Sequence, residues 1–255
     1  MVTAMTEASS SDGHAGAQSA RALIDTMRVM SDALGRTTPI APGVDYYATG
    51  AWLHHMNGVV LDRRRLGNDL PELDLDRVPN DLPWTIQVVG EDPDGALDAL
   101  ARRYRPNRFT VPTWSRSLAA GVSDVPPVDV SVDRVGDETR ARLGEVVASA
   151  LEGDNTAVAA PRLLAHPGVR AYIAGGASVG LGVVDQHGWL GVYAVTTAPD
   201  ARRRGLARAI SHRILQDGIA AGAHSAVLQS SGMARPIYQG LGFEQSGHDI
   251  AYYGG

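Results

Sequence analysis

One stretch limits what this chain can be more than any other: Val195-Thr-Thr-Ala-Pro199-Asp-Ala-Arg202-Arg-Arg-Gly205-Leu-Ala207. Residues 191–197 have the β-branched and aromatic content of a strand, and Pro199 cannot continue a ladder, so the spacing predicts a strand that stops there. Ala207, Ile210, Ile214, Leu215 and Ile219 then recur at helical spacing, which predicts a helix from Arg204 or Gly205 to the 218–222 region. A strand that feeds the open end of a helix directs unpaired N–H groups and the positive end of the helix dipole at one spot. Gly205 lets an anion come close to the backbone, and Arg202, Arg203 and Arg204 add charge. A diphosphate suits such a place, although three arginines alone read equally well as a solvated charge run.

The pattern Arg202-x-x-Gly205-x-Ala207, preceded by a strand and Pro199, resembles the acyl-CoA pyrophosphate loop of the GCN5-related N-acetyltransferase (GNAT) superfamily. After a second expected strand at 226–230 comes Ala234-x-x-x-Tyr238-x-x-Leu241-Gly242-Phe243, which is similar to the second half of the same cofactor site. The resemblance covers roughly residues 130–253 and is faint before them. It implies an α/β fold (α+β, with a mixed sheet): a GNAT fold in the C-terminal half and a partial, degenerate GNAT-like α/β domain in the N-terminal half.

Composition narrows the chemistry. The 255 residues contain no cysteine and no lysine. Disulfides, thiolate nucleophiles, cysteine-based metal sites, Schiff bases and a Walker-type lysine are therefore excluded. The all-arginine usage fits a GC-rich genome and a bacterial source. A net charge of −5 makes nucleic acid an unsuitable main partner. No apolar run is long enough for a membrane span, and residues 1–18, rich in Ser, Ala and Gly, lack the features of a signal peptide, so a disordered tail on a cytoplasmic protein is expected.

In chain order, Leu23, Ile24, Met27, Met30 and Leu34 mark one face of a helix over 21–34. Strands are expected at 44–47, 52–61 and 83–89, with Asn57-Gly58 a bulge or a turn, then a helix over 96–104 and a strand over 109–114. His54 and His55 would point to opposite faces of such a strand and are poorly placed to share a metal ion, so no metal is assigned. Arg63 to Arg65 reads as an exposed face. Pro126-Pro127 places a linker at 122–128 between a 19–121 domain and a 129–255 catalytic domain. The second domain is expected to run as a strand at 128–135, helices at 138–151 and 157–165, a hairpin about Gly175-Gly176, and then the central strand.

The resemblance also implies roles. Acetyl-CoA would be the co-substrate, held by backbone N–H groups from Arg203 through Gly205, Leu206 and Ala207 to Arg208, with arginine side chains, Arg202 among them, as secondary help. Val195 and Thr197 would meet the pantetheine arm, Val195 N–H would steady the oxyanion, and Tyr238, one turn after Ala234, would protonate the departing thiolate. Ser231 stands where relatives often have asparagine. Where many relatives carry a glutamate base this chain has Gly191, with Tyr193 its same-face neighbour, and Glu152 and Asp154 are the candidate replacements, alongside a water relay or an amine that is already neutral. The expected activity is direct transfer of an acyl group to an amine of a small molecule or protein, with a homodimer allowed. The alternatives are a non-catalytic acyl-CoA sensor and another CoA-thioester reaction such as decarboxylation or O-acyl transfer. No Gly-x-Ser-x-Gly elbow supports a serine hydrolase.

Overall fold

A computed structural model of the protein describes residues 4–51, 53–79, 81–90, 92–122, 130–150 and 155–254, with the backbone alone at 4–15 and 54. Helix α1 spans Ala4–Leu34, so residues 4–18, expected as a disordered tail, continue the helix instead. Two physical reasons support that correction. Ala, Met, Glu and Gln are good helix formers, and at Gly16 the helix lies so near Ser246 that an added Cβ would meet its carbonyl oxygen at 2.7 Å. The apolar stripe Leu23, Ile24, Met27, Met30 and Leu34 is buried as its period required.

The N-terminal half continues with β1 (Thr38–Ala41), β2 (Val44–Ala48), β3 (Asn57–Asp62), α2 (Arg63–Leu66), β4 (Thr85–Val89), α3 (Ala96–Tyr104) and β5 (Asn107–Ser117). The strand expected at 52–61 begins only at Asn57, after a 3₁₀ turn at His54–Met56. Its cause is the Asn57 side chain, which is fully buried. Nδ2 donates to the carbonyls of Ala51 (2.8 Å), Leu53 (3.2 Å) and Pro83 (3.0 Å), and Oδ1 accepts from Thr49 N–H (3.0 Å). Asn57 thus satisfies backbone groups of a folded-over loop, and Gly58 makes room for the Thr85 carbonyl of the adjoining strand. Asn57-Gly58 is neither a hairpin turn nor a bulge: Tyr47 stays opposite Gly58 and Ala48 opposite Asn57.

The C-terminal half contains β6 (Val132–Arg134), α4 (Asp137–Ala150), α5 (Pro161–Leu164), β7 (Val169–Ala174), β8 (Ser178–Val184), β9 (Trp189–Thr197), α6 (Leu206–Ala220), β10 (Ser225–Gln229), α7 (Arg235–Gly240) and β11 (Glu244–Tyr253). The helix expected at 157–165 is split into a 3₁₀ turn at Thr156–Ala159 and the short α5, because Pro161 has no N–H to continue the turn. Gly175 and Gly176 close the β7–β8 hairpin with φ of 54° and 62°.

Among the described residues, eleven strands make one sheet in the order β1-β2-β3-β4-β11-β5-β10-β9-β8-β7-β6. The halves meet by exchange: β5 of the first half lies between β10 and β11, while β11, from the C-terminal end, lies between β5 and β4. The expected linker falls largely outside the described residues, and the halves it was to separate share this one sheet. Helix α1 covers one face, contributing Leu23 and Met27 to a core with Leu181, Tyr193 and Val227. Helix α6 covers the other, packing Ile210 and Ile214 with Leu190, Val192 and Leu228. It approaches closely because β8 has glycines beneath it. A Cβ at Gly180 would meet Ile210 Cγ2 at 2.7 Å, and one at Gly182 would meet Ile214 Cγ2 at 2.8 Å. Among the described residues no helix is long and apolar enough to cross a membrane.

Candidate active site

The centre of the sheet is open. β9 and β10 pair in parallel only where Trp189, Leu190 and Gly191 face Ser225, Ala226 and Val227. Beyond that point each strand follows its other neighbour: β10 stays in register with β5 as far as Gln229↔Thr113, and β9 follows β8 to Thr197↔Ser178. A bulge in β9 sharpens the divergence. Ala194 and Val195 both stand opposite Gly180, since Tyr193 pairs with Leu181 and Thr196 with Val179, and Ala194 takes a left-handed φ of 50°. An extra residue bends the strand and locally disrupts the ladder at Ala194 and Val195. The result is a wedge-shaped cavity of about 370 Å³, bounded by Ala194, Val195 and Thr196 on one side and Gln229, Ser230 and Ser231 on the other.

On the α6 face, Pro199 starts a 3₁₀ turn through Ala201, and Arg203 (φ 67°) and Gly205 (φ 79°) both adopt left-handed backbone. Such alternation curls successive N–H groups into a concave nest. Helix α6 starts at Leu206, slightly later than expected, and its first bond runs from Ala209 N–H to Gly205 O (3.0 Å). The N–H groups of Leu206, Ala207 and Arg208 therefore precede the first bonded turn. Leu206 is buried and fastens the helix start to the core. Arg202 Nε donates to the carbonyl of Thr197 (3.2 Å), and the Thr197 hydroxyl is 2.8 Å from that of Ser178. Thr197 is thus tied to β8, while Val195 lines the cavity. Arg203 and Arg204 are exposed. Arg208 leans toward Gly240 of α7, where an added Cβ would lie 3.9 Å from Nη2, and its Nε is buried without a partner.

Ser231, Ala234 and Tyr238 all line the cavity, the first two from the turn before the short α7 and Tyr238 from α7 itself. The Tyr238 ring is 6% exposed and rests edge-on against Phe243, with centroids 5.8 Å apart. Burial pushes its phenol up to about 12, opposed by a hydrogen bond with the Ser211 hydroxyl. It therefore stays protonated across the neutral range.

Glu152 and Asp154 lie outside the described residues. The strand position that has no carboxylate is now explained by packing. A Cβ on Gly191 would run into the Tyr193 ring and stand 2.6 Å from Thr26 Oγ1 of α1. The Tyr193 hydroxyl is held there by Thr26 Oγ1 (2.6 Å) and donates to the carbonyl of Leu23 (3.0 Å), and burial raises its pKa far beyond the usual phenol range. Sequence reasoning missed two polar groups on this side of the cavity. Gln229 ends β10 on the cavity, and its Nε2 donates to Asp249 Oδ2 (3.2 Å) on β11. Asp249 is 1% exposed, and burial pushes its carboxyl up to about 7 against the hydrogen bond from Gln229, which pulls it down. The only advance sign was an acidic residue inside an alternating run, His248-Asp-Ile-Ala-Tyr252, that was not recognised as a strand. The opposite end of the cavity is closed by the N-terminal half, with Met30, Thr49, Ala51, Leu53 and Met56.

A family model described as "Acetyltransferase (GNAT) domain" matches residues 158–254, the span from before β7 through β11. No curated protein matches the chain by sequence. Among solved structures, the chain is similar to a GCN5-related N-acetyltransferase from Kribbella flavida, with a TM-score of 0.61 and 15% identity over 93% of this chain and 96% of that one. It is also similar to a GCN5-related N-acetyltransferase from Sphaerobacter thermophilus, with a TM-score of 0.54 and 14% identity over 82% of this chain and 76% of that one. At such identities the likeness is one of fold, and it extends over the N-terminal half as well. Residues 158–254, with the split strands, the bulge and the helix-end loop, thus match the GNAT acetyltransferase domain, on a GNAT-like fold that takes in both halves of the chain.

Proposed function

We propose that the protein transfers an acetyl group from acetyl-CoA directly to an amine of a small molecule or protein. One observation carries the reading: the parting of β9 from β10, with its bulge at Ala194 and Val195, opens on a cavity lined by Tyr238, and the loop into α6, with left-handed Arg203 and Gly205, lies on the side of the sheet where Leu206 and Tyr238 share a core. In this reading the nest at Arg203 through Gly205, with the N–H groups of Leu206, Ala207 and Arg208, grips the diphosphate, and Arg202 and Arg204 add charge. The pantetheine arm runs along β9 beside Val195, near Ser231 and Ala234. The amine nitrogen attacks the thioester carbonyl carbon, and the carbonyl electron pair moves to oxygen, where Val195 N–H steadies it. Re-forming the carbonyl breaks the carbon–sulfur bond. The thiolate takes the Tyr238 proton, and the proton lost by nitrogen passes to solvent water that reaches the open cavity. The phenolate is then reprotonated from solvent.

Because no carboxylate stands at Gly191, an acyl-CoA sensor that performs no chemistry is the second reading. Incubation with acetyl-CoA and a panel of amines, following free thiol, separates the two. Thiol release that requires an amine is the expected result. Tight CoA binding without turnover would replace transfer by sensing, and amine-independent release would point to hydrolysis or decarboxylation.

A further inference from the structure

The two faces of the cavity are chemically distinct. The nest and Tyr238 belong to the α6 face, so an acyl donor bound there presents its thioester in the gap between the strands, and the acceptor has to come from the α1 face. Alternation along β10 puts Ala226 and Leu228 toward α6 and Val227 and Gln229 toward α1. Gln229 is therefore the polar side chain of β10 that stands on the acceptor's side of the gap.

Its orientation is imposed from behind. Asp249 is buried, its Oδ2 is 3.2 Å from Gln229 Nε2, and its Oδ1 has no hydrogen-bond partner. Above about pH 7 the carboxyl is ionised and only accepts, so the amide there turns its NH₂ group toward Asp249, as the 3.2 Å contact has it, and its carbonyl oxygen the other way. The side chain reaches the cavity wall with a hydrogen-bond acceptor leading.

We propose that Gln229, oriented by Asp249, seats the acceptor's amino group: Oε1 accepts one N–H of the incoming amine and so aims the nitrogen lone pair at the thioester carbonyl. The inference rests on the transfer reaction proposed above. Gln229 forms and breaks no covalent bond and takes up no proton. Gln229 is a specificity-determining residue, since it favours acceptors that still carry an N–H donor as they bind, and Asp249 is a positioning residue.

The test uses the full chain at pH 8, with acetyl-CoA and whichever amine of the panel turns over. Gln229→Met keeps the length of the side chain and removes the acceptor oxygen. It is expected to raise the KM for the amine about tenfold, the usual worth of one hydrogen bond, while the KM for acetyl-CoA stays within about twofold. Asp249→Asn is nearly isosteric, and its new NH₂ group attracts Oε1 and turns the Gln229 amide around. The amine KM should rise in the same sense, and the double variant should be no worse than Gln229→Met alone, because both changes remove one interaction. A rise confined to the acetyl-CoA KM would overturn the proposal, as would an unchanged amine KM in Gln229→Met, or additive losses in the double variant. If either single variant melts far below the wild type, the other still decides. Wild-type protein that releases no thiol with any amine would remove the transfer reaction itself, and this inference with it, whereas amine-dependent turnover indifferent to Gln229 would remove the inference alone.

Discussion

On the α6 face of the cavity, the groups proposed to hold the acyl donor come from one short span of chain, Val195 to Tyr238, and each is placed by its immediate neighbours: a proline, a left-handed glycine, a helix start. On the α1 face the wall is gathered from Met30, Thr49, Leu53, Val111 and Gln229, with Asp249 behind Gln229, on separate segments joined by strand exchange. The difference teaches what kind of information each task needs. Gripping a diphosphate is a backbone problem, solved by local conformation and readable as a motif. Receiving an acceptor is a side-chain problem, solved by whichever segments the fold brings together.

The sharpest way to break the comparison is at the donor face. Tyr238→Phe removes the proposed proton donor while leaving the ring on Phe243, and the expected outcome is a fall in kcat of about a hundredfold with acetyl-CoA binding kept, read by steady-state kinetics and calorimetry. Unchanged kcat would make Tyr238 a packing residue, and the donor face would then be a binding surface only.

The acceptor face is probed by installing the carboxylate that the strand lacks. Gly191→Glu forces a side chain into space held by Tyr193 and Thr26, and should lower stability by about 3 kcal/mol, measured by urea unfolding. A variant as stable as the wild type, with activity gained, would show that α1 yields and that the two faces are less different than their packing indicates.

A further test concerns Asp249. Its carboxyl is pushed up to about 7, so between the ordinary carboxylate range and that value the folded protein binds more protons than the unfolded chain. The contribution of this one carboxyl to stability is therefore greatest at low pH and declines as pH rises through about 7, by no more than about 4 kcal/mol, and is level beyond it. Asp249→Asn should abolish that slope and melt above the wild type at pH 8. Parallel pH profiles for the two proteins would mean that Asp249 is better solvated than its burial implies.

Much of the fold was legible because local chemistry enforces it. The stripe on α1, the Gly175-Gly176 hairpin and the strand-loop-helix at Val195 to Ala207 each follow from period and turn residues alone. The misreadings have particular causes. Asn57 looked like a turn residue but is a buried hub for distant carbonyls, Pro161 divided an apparent helix, and β11 was overlooked because Glu244, Gln245 and Asp249 give it a polar pattern. Its two edges are covered by strands of the N-terminal half, which no local pattern could disclose.

What the sequence by itself determined is the anion-gripping end of the site, since a helix start with a left-handed glycine and adjacent arginines works wherever it is placed. Only the tertiary structure decided that Gly191 must be bare, that Tyr193 is spent on Thr26 and Leu23, and that Asp249 stands behind Gln229. The reason is physical: these relations depend on distances between segments far apart in the chain, set by the packing of α1 and the exchange of β5 with β11, and packing is a property of the whole sheet.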